Sequence, residues 1–141
     1  VDDATAAAAY AHWRDVPTRW SDNDVYGHVN NAVYYAYMDS VINDWLIARG
    51  GLDIHAGAAI GLCVESHCAY HAPAAYPETL RVGLRVGHLG RSSVRYELAL
   101  RRDGTPLADG WFVHVFVDRA TRRPVPVTGP LRGALEELVV R

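Results

Sequence analysis

Residues 31 to 51 read NAVYYAYMDSVINDWLIARGG. Tyr34, Tyr37, Met38, Val41, Ile42, Trp45 and Leu46 recur at steps of three, four and seven, while Asp39, Ser40, Asn43 and Asp44 hold the other side. That period predicts one long amphipathic helix. Asn30 or Asn31 suits its N-cap, and Gly50-Gly51 ends it where the backbone needs a left-handed residue.

Outside this stretch the period is two. Val82, Leu84 and Val86 alternate with Arg81, Gly83 and Arg85, and Val94, Tyr96, Leu98 and Leu100 alternate with Arg95, Glu97, Ala99 and Arg101. These are half-buried strands. Gly87 to Gly90 is expected to separate them, and Asp103-Gly104 predicts a tight hairpin turn into the next run. There Trp111, Val113, Val115 and Val117 interleave with Phe112, His114 and Phe116, so this strand is apolar on both faces and expected at the centre of the sheet. Residues 60 to 71 form another strand upstream, and residues 12 to 20, HWRDVPTRW, suit an irregular or edge strand because Pro17 interrupts them. A final helical turn is expected around Leu131 to Leu138.

The predicted order is a short strand, one long helix, then about four strands as a meander. A lone helix must bury its apolar stripe, and the only partner in this chain is the concave face of its own sheet. The expected class is therefore α+β, an antiparallel sheet wrapped around one central helix.

With 141 residues, half of them apolar, the chain is sized for one domain. We place it at residues 12–141, after an Ala-rich N-terminal tail over residues 1–11 that carries no function. The net charge of -2 gives no reason to expect nucleic acid or an anionic membrane as partner. Lysine is absent, and the recurring arginines read as solvated strand faces. Cys63 and Cys68, five apart in a strand, are expected on opposite faces and not in a disulfide. No stretch has the pattern of a signal peptide or a membrane span, so a cytoplasmic protein is expected.

The chemistry gathers just before the helix. Residues 22 to 31 read DNDVYGHVNN, which puts two carboxylates on the loop that enters a helix whose first amides are unpaired. A carboxylate beside that positive helix end suggests acyl chemistry. The same stretch is no calcium loop, since Val33 stands where an EF-hand needs a bidentate Glu. Cys63, His67, Cys68, His71 and His114 contain no zinc spacing, His67 and His71 sharing one strand face at four residues apart. The nucleophile elbow G-x-S-x-G and the glycine motifs for nucleotides are missing as well. Neither a metal nor a cofactor is expected.

Arg19, Trp20, Asp22, Asp24, Gly27, His28, Val29, Asn30 and Asn31 form the string R-W-x-D-x-D-x-x-G-H-V-N-N, followed by the Tyr-rich helix. This resembles the hotdog-fold acyl-CoA thioesterases of the 4-hydroxybenzoyl-CoA thioesterase type. The match runs from about Pro17 to Pro126, with weaker support from Tyr70, Pro73 and Ala74, from Gly90-Arg91-Ser92-Ser93 and from Asp103-Gly104. The resemblance implies hydrolysis of an acyl-CoA to a free acid and coenzyme A. It implies Asp24 as nucleophile or general base, with the Asn31 backbone amide, together with that of Ala32, as oxyanion donor. Free amides at the positive end of a helix suit a charge that develops only in the transition state.

Gly27 would let the backbone turn tightly and approach the acyl group, His28 and Asn30 would hold the loop or orient the site, and Asp22 is read as structural. Arg91 and Ser92 resemble the family's region for the coenzyme A nucleotide, and Tyr34 is a candidate for the acyl pocket. Glu65, on a strand, is secondary to Asp24, and Arg119, Arg122 and Arg123 read as a surface loop. The family further implies a homodimer, or a dimer of dimers, with active sites at the subunit boundary. Two alternatives are carried. One is an acyl-thioester hydratase or dehydratase, whose usual Asp and His spacing DNDVYGHVNN lacks. The other is a non-catalytic acyl-CoA binding module, which would have lost the carboxylate.

Overall fold

The computed structural model describes residues 9–140. Its elements are β1 (His12–Pro17), a 3-10 turn (Trp20–Asp22), α1 (Asn31–Ala48), β2 (Ala59–Tyr70), β3 (Thr79–Leu89), β4 (Ser93–Arg102), β5 (Thr105–Asp118) and α2 (Gly129–Glu137). The strands make one antiparallel sheet in the order β1-β3-β4-β5-β2. This is the layout of a hotdog fold.

Only β3, β4 and β5 form the expected meander. β2 pairs with β5 and so lies at the far edge, because β5, apolar on both faces, needs a strand on each side. β5 is thus interior, although β4 holds the centre. β1 is the other edge, as Pro17 suggests. β3 runs on through Gly87 and His88 instead of ending there. The extra residue, Gly87, makes a bulge, and a side chain on it would strike the Glu97 carboxylate. The turn itself is residues 90 to 92. Asp103 and Gly104, at φ 47° and 80°, make the tight hairpin turn that the sequence predicts.

α1 lies across the inner face. Its Met38, Val41, Ile42 and Leu46 are all but fully buried against Leu80, Val82 and Leu84 of β3, Tyr96, Leu98 and Leu100 of β4, and Phe112 and Phe116 of β5. Gly110 lets the helix settle there, since a methyl group in its place would collide with Met38 Sδ and the His67 carbonyl. After Arg49 the chain turns through Gly51 at φ 68°, and the Leu52 amide donates back to the Leu46 carbonyl.

The outer face corrects the reading of the arginines. Arg85 and Arg95 both bond Glu97, at 2.9 and 3.2 Å, while Arg81, Arg85 and Arg95 lie over the rings of Trp13, Tyr10 and Trp111. They are stacked and paired, not merely solvated. Tyr10 falls within the expected tail yet packs on Trp13; residues 1–8 of that tail lie outside the described residues.

β2 carries a bulge at Val64, between Cys63, which faces His114, and Glu65, which faces Val113. The extra residue shifts the parity of the strand, so Cys63 and Cys68 share a face instead of opposing each other. Both are free thiols, and half a strand separates them.

Candidate active site

The loop between β1 and α1 is tied at several points. The Asp24 amide donates to the His28 carbonyl (2.9 Å) and the Gly27 amide to the Asp24 carbonyl (3.1 Å), which closes a small turn. Gly27 sits at φ 85° with nothing within 4 Å of where a side chain would begin, a conformation that disfavours any other residue. The Val29 amide then reaches the Ala74 carbonyl (2.8 Å) and the Asn30 amide the Asp22 carbonyl (2.9 Å).

The two aspartates separate by environment. Asp22 is 1% exposed and accepts hydrogen bonds from the Arg19 amide and guanidinium and from the Tyr37 hydroxyl. Burial pulls its carboxyl toward protonation, but those donors and the Arg19 charge win and hold it below the usual carboxylate range. Tyr37 in turn is pushed up, first by burial and then by Asp22. Asp24 lies at the rim, half-buried. One of its oxygens accepts from the Tyr26 amide (2.9 Å), and the other faces Asn30 Nδ2 at 3.5 Å.

Asn30 is the N-cap of α1: its Oδ1 accepts from the Ala32 amide at 2.9 Å. This removes Ala32 from the expected pair of oxyanion donors. The Asn31 amide is left, and it takes no hydrogen-bond partner among the described residues. The Asn31 carbonyl accepts from the Tyr70 hydroxyl (2.7 Å). Val29, Asn31, Tyr34, Tyr70, Ala72 and Pro73 border an open cleft of about 330 Å³ at this helix end.

Tyr34 edges that cleft but is 3% exposed; its hydroxyl accepts from the Ala74 amide (3.1 Å) and its ring stands edge-on to Tyr70. His28 is exposed and makes no side-chain hydrogen bond among the described residues, so Asn30 and the backbone hold the loop without it. Glu65 is registered with Val113, which shares the sheet's outer face with Trp111, and points away from the helix.

Arg91 and Ser92 lie elsewhere. Ser93 pairs with Val115, which pairs with Leu62, whereas the helix entrance sits beside Tyr70, eight residues and roughly 25 Å along β2. One chain does not bring this turn to Asp24. The turn is nonetheless fixed, because the Arg91 and Ser92 carbonyls accept from the Val127 and Phe116 amides.

The role of Tyr37 as buried partner of Asp22 goes beyond the sequence reading. Its signal was a tyrosine in an apolar helical stripe, whose hydroxyl needs a partner once buried. Among the described residues no three His, Cys, Asp or Glu side chains gather as a metal site, and no helix is long and apolar enough to cross a membrane.

The sheet wrapped around one helix is the architecture of a hotdog fold, and the family match makes the protein a hotdog-type thioesterase, a thioester hydrolase. The chain belongs to the thioesterase-like superfamily, whose family model matches residues 18–135. It is 28% identical over 119 residues to the long-chain acyl-CoA thioesterase FadM of Escherichia coli, covering 82% of this chain and 90% of that one. Among solved structures, the PA5185 protein of Pseudomonas aeruginosa is 52% identical with a TM-score of 0.91, covering 95% of each chain. A thioesterase of Thermus thermophilus complexed with coenzyme A and zinc is 29% identical with a TM-score of 0.80, covering 94% of this chain and 97% of that one.

Proposed function

We propose that the protein hydrolyses acyl-CoA thioesters to a free carboxylic acid and coenzyme A, with Asp24 as the reacting carboxylate. The observation that carries this is the pairing of a rim carboxylate, held by the Tyr26 amide, with an Asn31 amide at the start of α1 that has no partner among the described residues. Asp24 either attacks the thioester carbonyl or takes a proton from a water that does so. Negative charge then develops on the carbonyl oxygen, where the Asn31 amide and the helix dipole stabilise it, one such donor being worth about 2.7–4 kcal/mol. The C–S bond breaks as the carbonyl re-forms, and coenzyme A leaves as its thiol after protonation. In the attack route, water hydrolyses the resulting anhydride and frees Asp24. Gly27 keeps this approach open, and the resemblance to FadM and to a coenzyme A-bound thioesterase supports the substrate class.

The reading extends to a homodimer. β2 is a twelve-residue edge strand whose middle, residues 62 to 67, is exposed, with Val64 at 61%. Such an edge is covered most simply by a second copy of itself. Antiparallel pairing about a two-fold axis brings the partner's Arg91 and Ser92 toward the helix entrance, where a guanidinium and a hydroxyl suit the phosphates of coenzyme A. This arrangement accounts for their distance from Asp24 within one chain.

The test is a hydrolysis panel of short, medium, long and aromatic acyl-CoAs beside acyl-carrier-protein thioesters. Asp24→Asn should lower kcat by about 10²–10⁴-fold on the best substrate. Full activity in that variant would refute the mechanism.

A further inference from the structure

Two peptide units meet at the Asn31 Cα and present four polar groups. In the first unit the Asn30 carbonyl accepts from the Val33 amide at 2.9 Å, while the Asn31 amide has no partner among the described residues. In the second the Ala32 amide donates to Asn30 Oδ1 at 2.9 Å, and the Asn31 carbonyl accepts from the Tyr70 hydroxyl at 2.7 Å. Three of the four groups are held. Because each unit is planar, those bonds fix both planes and with them the direction of the amide that is left.

The three bonds differ in origin. Two are made within residues 30 to 33, by the helix's own first turn, and only the Tyr70 hydroxyl reaches in from the sheet. A terminal turn held by itself alone is the part of a helix that frays. Tyr70 comes to this place through the register of β2. Cys68 opposes Gly110, whose face of the sheet meets Met38, and Tyr70, two residues on, shares that face. Its ring then stands edge-on to Tyr34 at 5.1 Å, and Tyr34 is itself fixed by the Ala74 amide.

Folding does not demand this bond. In an α-helix the first carbonyl already accepts from the amide four residues on, so a second donor satisfies nothing that the helix leaves open. Removal from water, followed by the neighbouring Cys68 thiol, pushes the Tyr70 phenol above its ordinary range, so the hydroxyl keeps its proton and serves the carbonyl as donor. What the bond adds is stiffness at one point. A donor aimed in advance at a developing charge needs no reorganisation at the moment of reaction, which is where its worth lies.

We infer that Tyr70 is a positioning residue for thioester hydrolysis: through the Asn31 carbonyl its hydroxyl aims the Asn31 amide at the oxygen that becomes negative in the transition state. Tyr70 borders the cleft, but its hydroxyl acts on the backbone and not on the substrate. This inference rests on the reading of the helix entrance as the hydrolytic site.

The experiment is a double-mutant cycle between Tyr70→Phe and Asn31→Pro, assayed on the best acyl-CoA. Tyr70→Phe keeps the ring against Tyr34 and removes only the hydroxyl. Asn31→Pro removes the amide proton where a helix best tolerates proline, its first position, and Asn30, at φ -57° and ψ 136°, already has the extended backbone that a residue before proline takes. Measured against Asn31→Ala, which gives up the same side chain and keeps the amide, Asn31→Pro should lower kcat by about 10²–10³-fold. Tyr70→Phe should lower kcat by about 10–100-fold, the cost of a misplaced group. Its KM should stay within about twofold of wild type, since an interaction made only in the transition state leaves substrate binding alone. The Ki of an S-alkyl-CoA thioether, which lacks the carbonyl, should be as little affected, and the melting temperature should stay near wild type. In the Asn31→Pro background the Tyr70→Phe change should cost less than about twofold, because the amide it aims is gone.

An unchanged kcat in Tyr70→Phe overturns the inference. So does a loss that appears in KM or in the thioether Ki, or one that persists in full beside Asn31→Pro, since either would make Tyr70 a substrate contact or a general support. Should Asn31→Pro fail to fold, the division between kcat and the thioether Ki in Tyr70→Phe decides alone. If wild type hydrolyses no acyl-CoA, or Asn31→Pro is as active as Asn31→Ala, the hydrolytic reading of the helix entrance fails and this inference with it. If Asn31→Pro is impaired and Tyr70→Phe is not, only the inference fails.

Discussion

Asp22 and Asp24 are two residues apart and chemically identical, and their neighbours assign them different work. Asp22 is buried among donors, while Asp24 keeps one oxygen loosely held at the rim. A carboxylate whose folded pKa is depressed contributes stability that is fully present above its unfolded pKa, about 3.9, and is lost as pH falls through the lower folded value. The melting temperature should therefore show no dependence on Asp22 from neutral pH down to about pH 4 and should fall below it. Asp22→Asn should flatten that acid limb and cost about 1–3 kcal/mol at pH 7, measured by urea titration, because it weakens the bonds from Arg19 and Tyr37. The string of residues 22 to 31 marks where the chemistry lies, but it does not distinguish the aspartates by itself. What separates them is a hydroxyl fifteen residues on, at Tyr37, and contact at that range is set by tertiary packing.

At the scale of elements, α1 depends on its first residues. Asn30→Ala removes the cap on the Ala32 amide and should cost about 0.5–2 kcal/mol. It also removes the bond to Asp24, so turnover should fall along with the melting temperature. Asn30→Asp should recover the melting temperature and not the turnover, because it caps equally well but sets a second carboxylate beside Asp24. Circular dichroism melts and a thioesterase assay on the same preparations separate the two effects. The helix was legible because its period of 3.6 is written in consecutive residues, and the Asp103-Gly104 turn because few residue pairs accept two positive φ angles. The destination of β2 was not. Alternation reports that a segment is a strand and which faces it shows, but not which strand it joins.

For the whole molecule, the exposed β2 edge and the separation of Arg91 from Asp24 point to the same assembly. Sedimentation at micromolar concentration should show a dimer. Leu62→Arg, on the exposed edge, should shift it toward monomer and raise KM for acyl-CoA, without lowering the melting temperature measured at the lowest usable concentration. A purely monomeric wild type with full activity would contradict the shared site. Arg91 and Ser92 illustrate the limit of a single sequence: their residue types suit phosphate, yet nothing in their spacing tells that their own helix entrance lies at the other end of the sheet.

The bulge at Val64 gives β2 one residue of slack. Losing a residue from the middle of a strand normally turns every side chain beyond it to the wrong face. Here Cys63 and Glu65 already oppose neighbouring residues of β5, His114 and Val113, so excising Val64 would leave both halves of the strand aligned with β5. The shortened chain should fold with nearly the parent melting temperature while its outer edge loses the local twist that a second copy must match. Folding and the proposed assembly, which would share this strand, become separable by the loss of one side chain and its peptide unit.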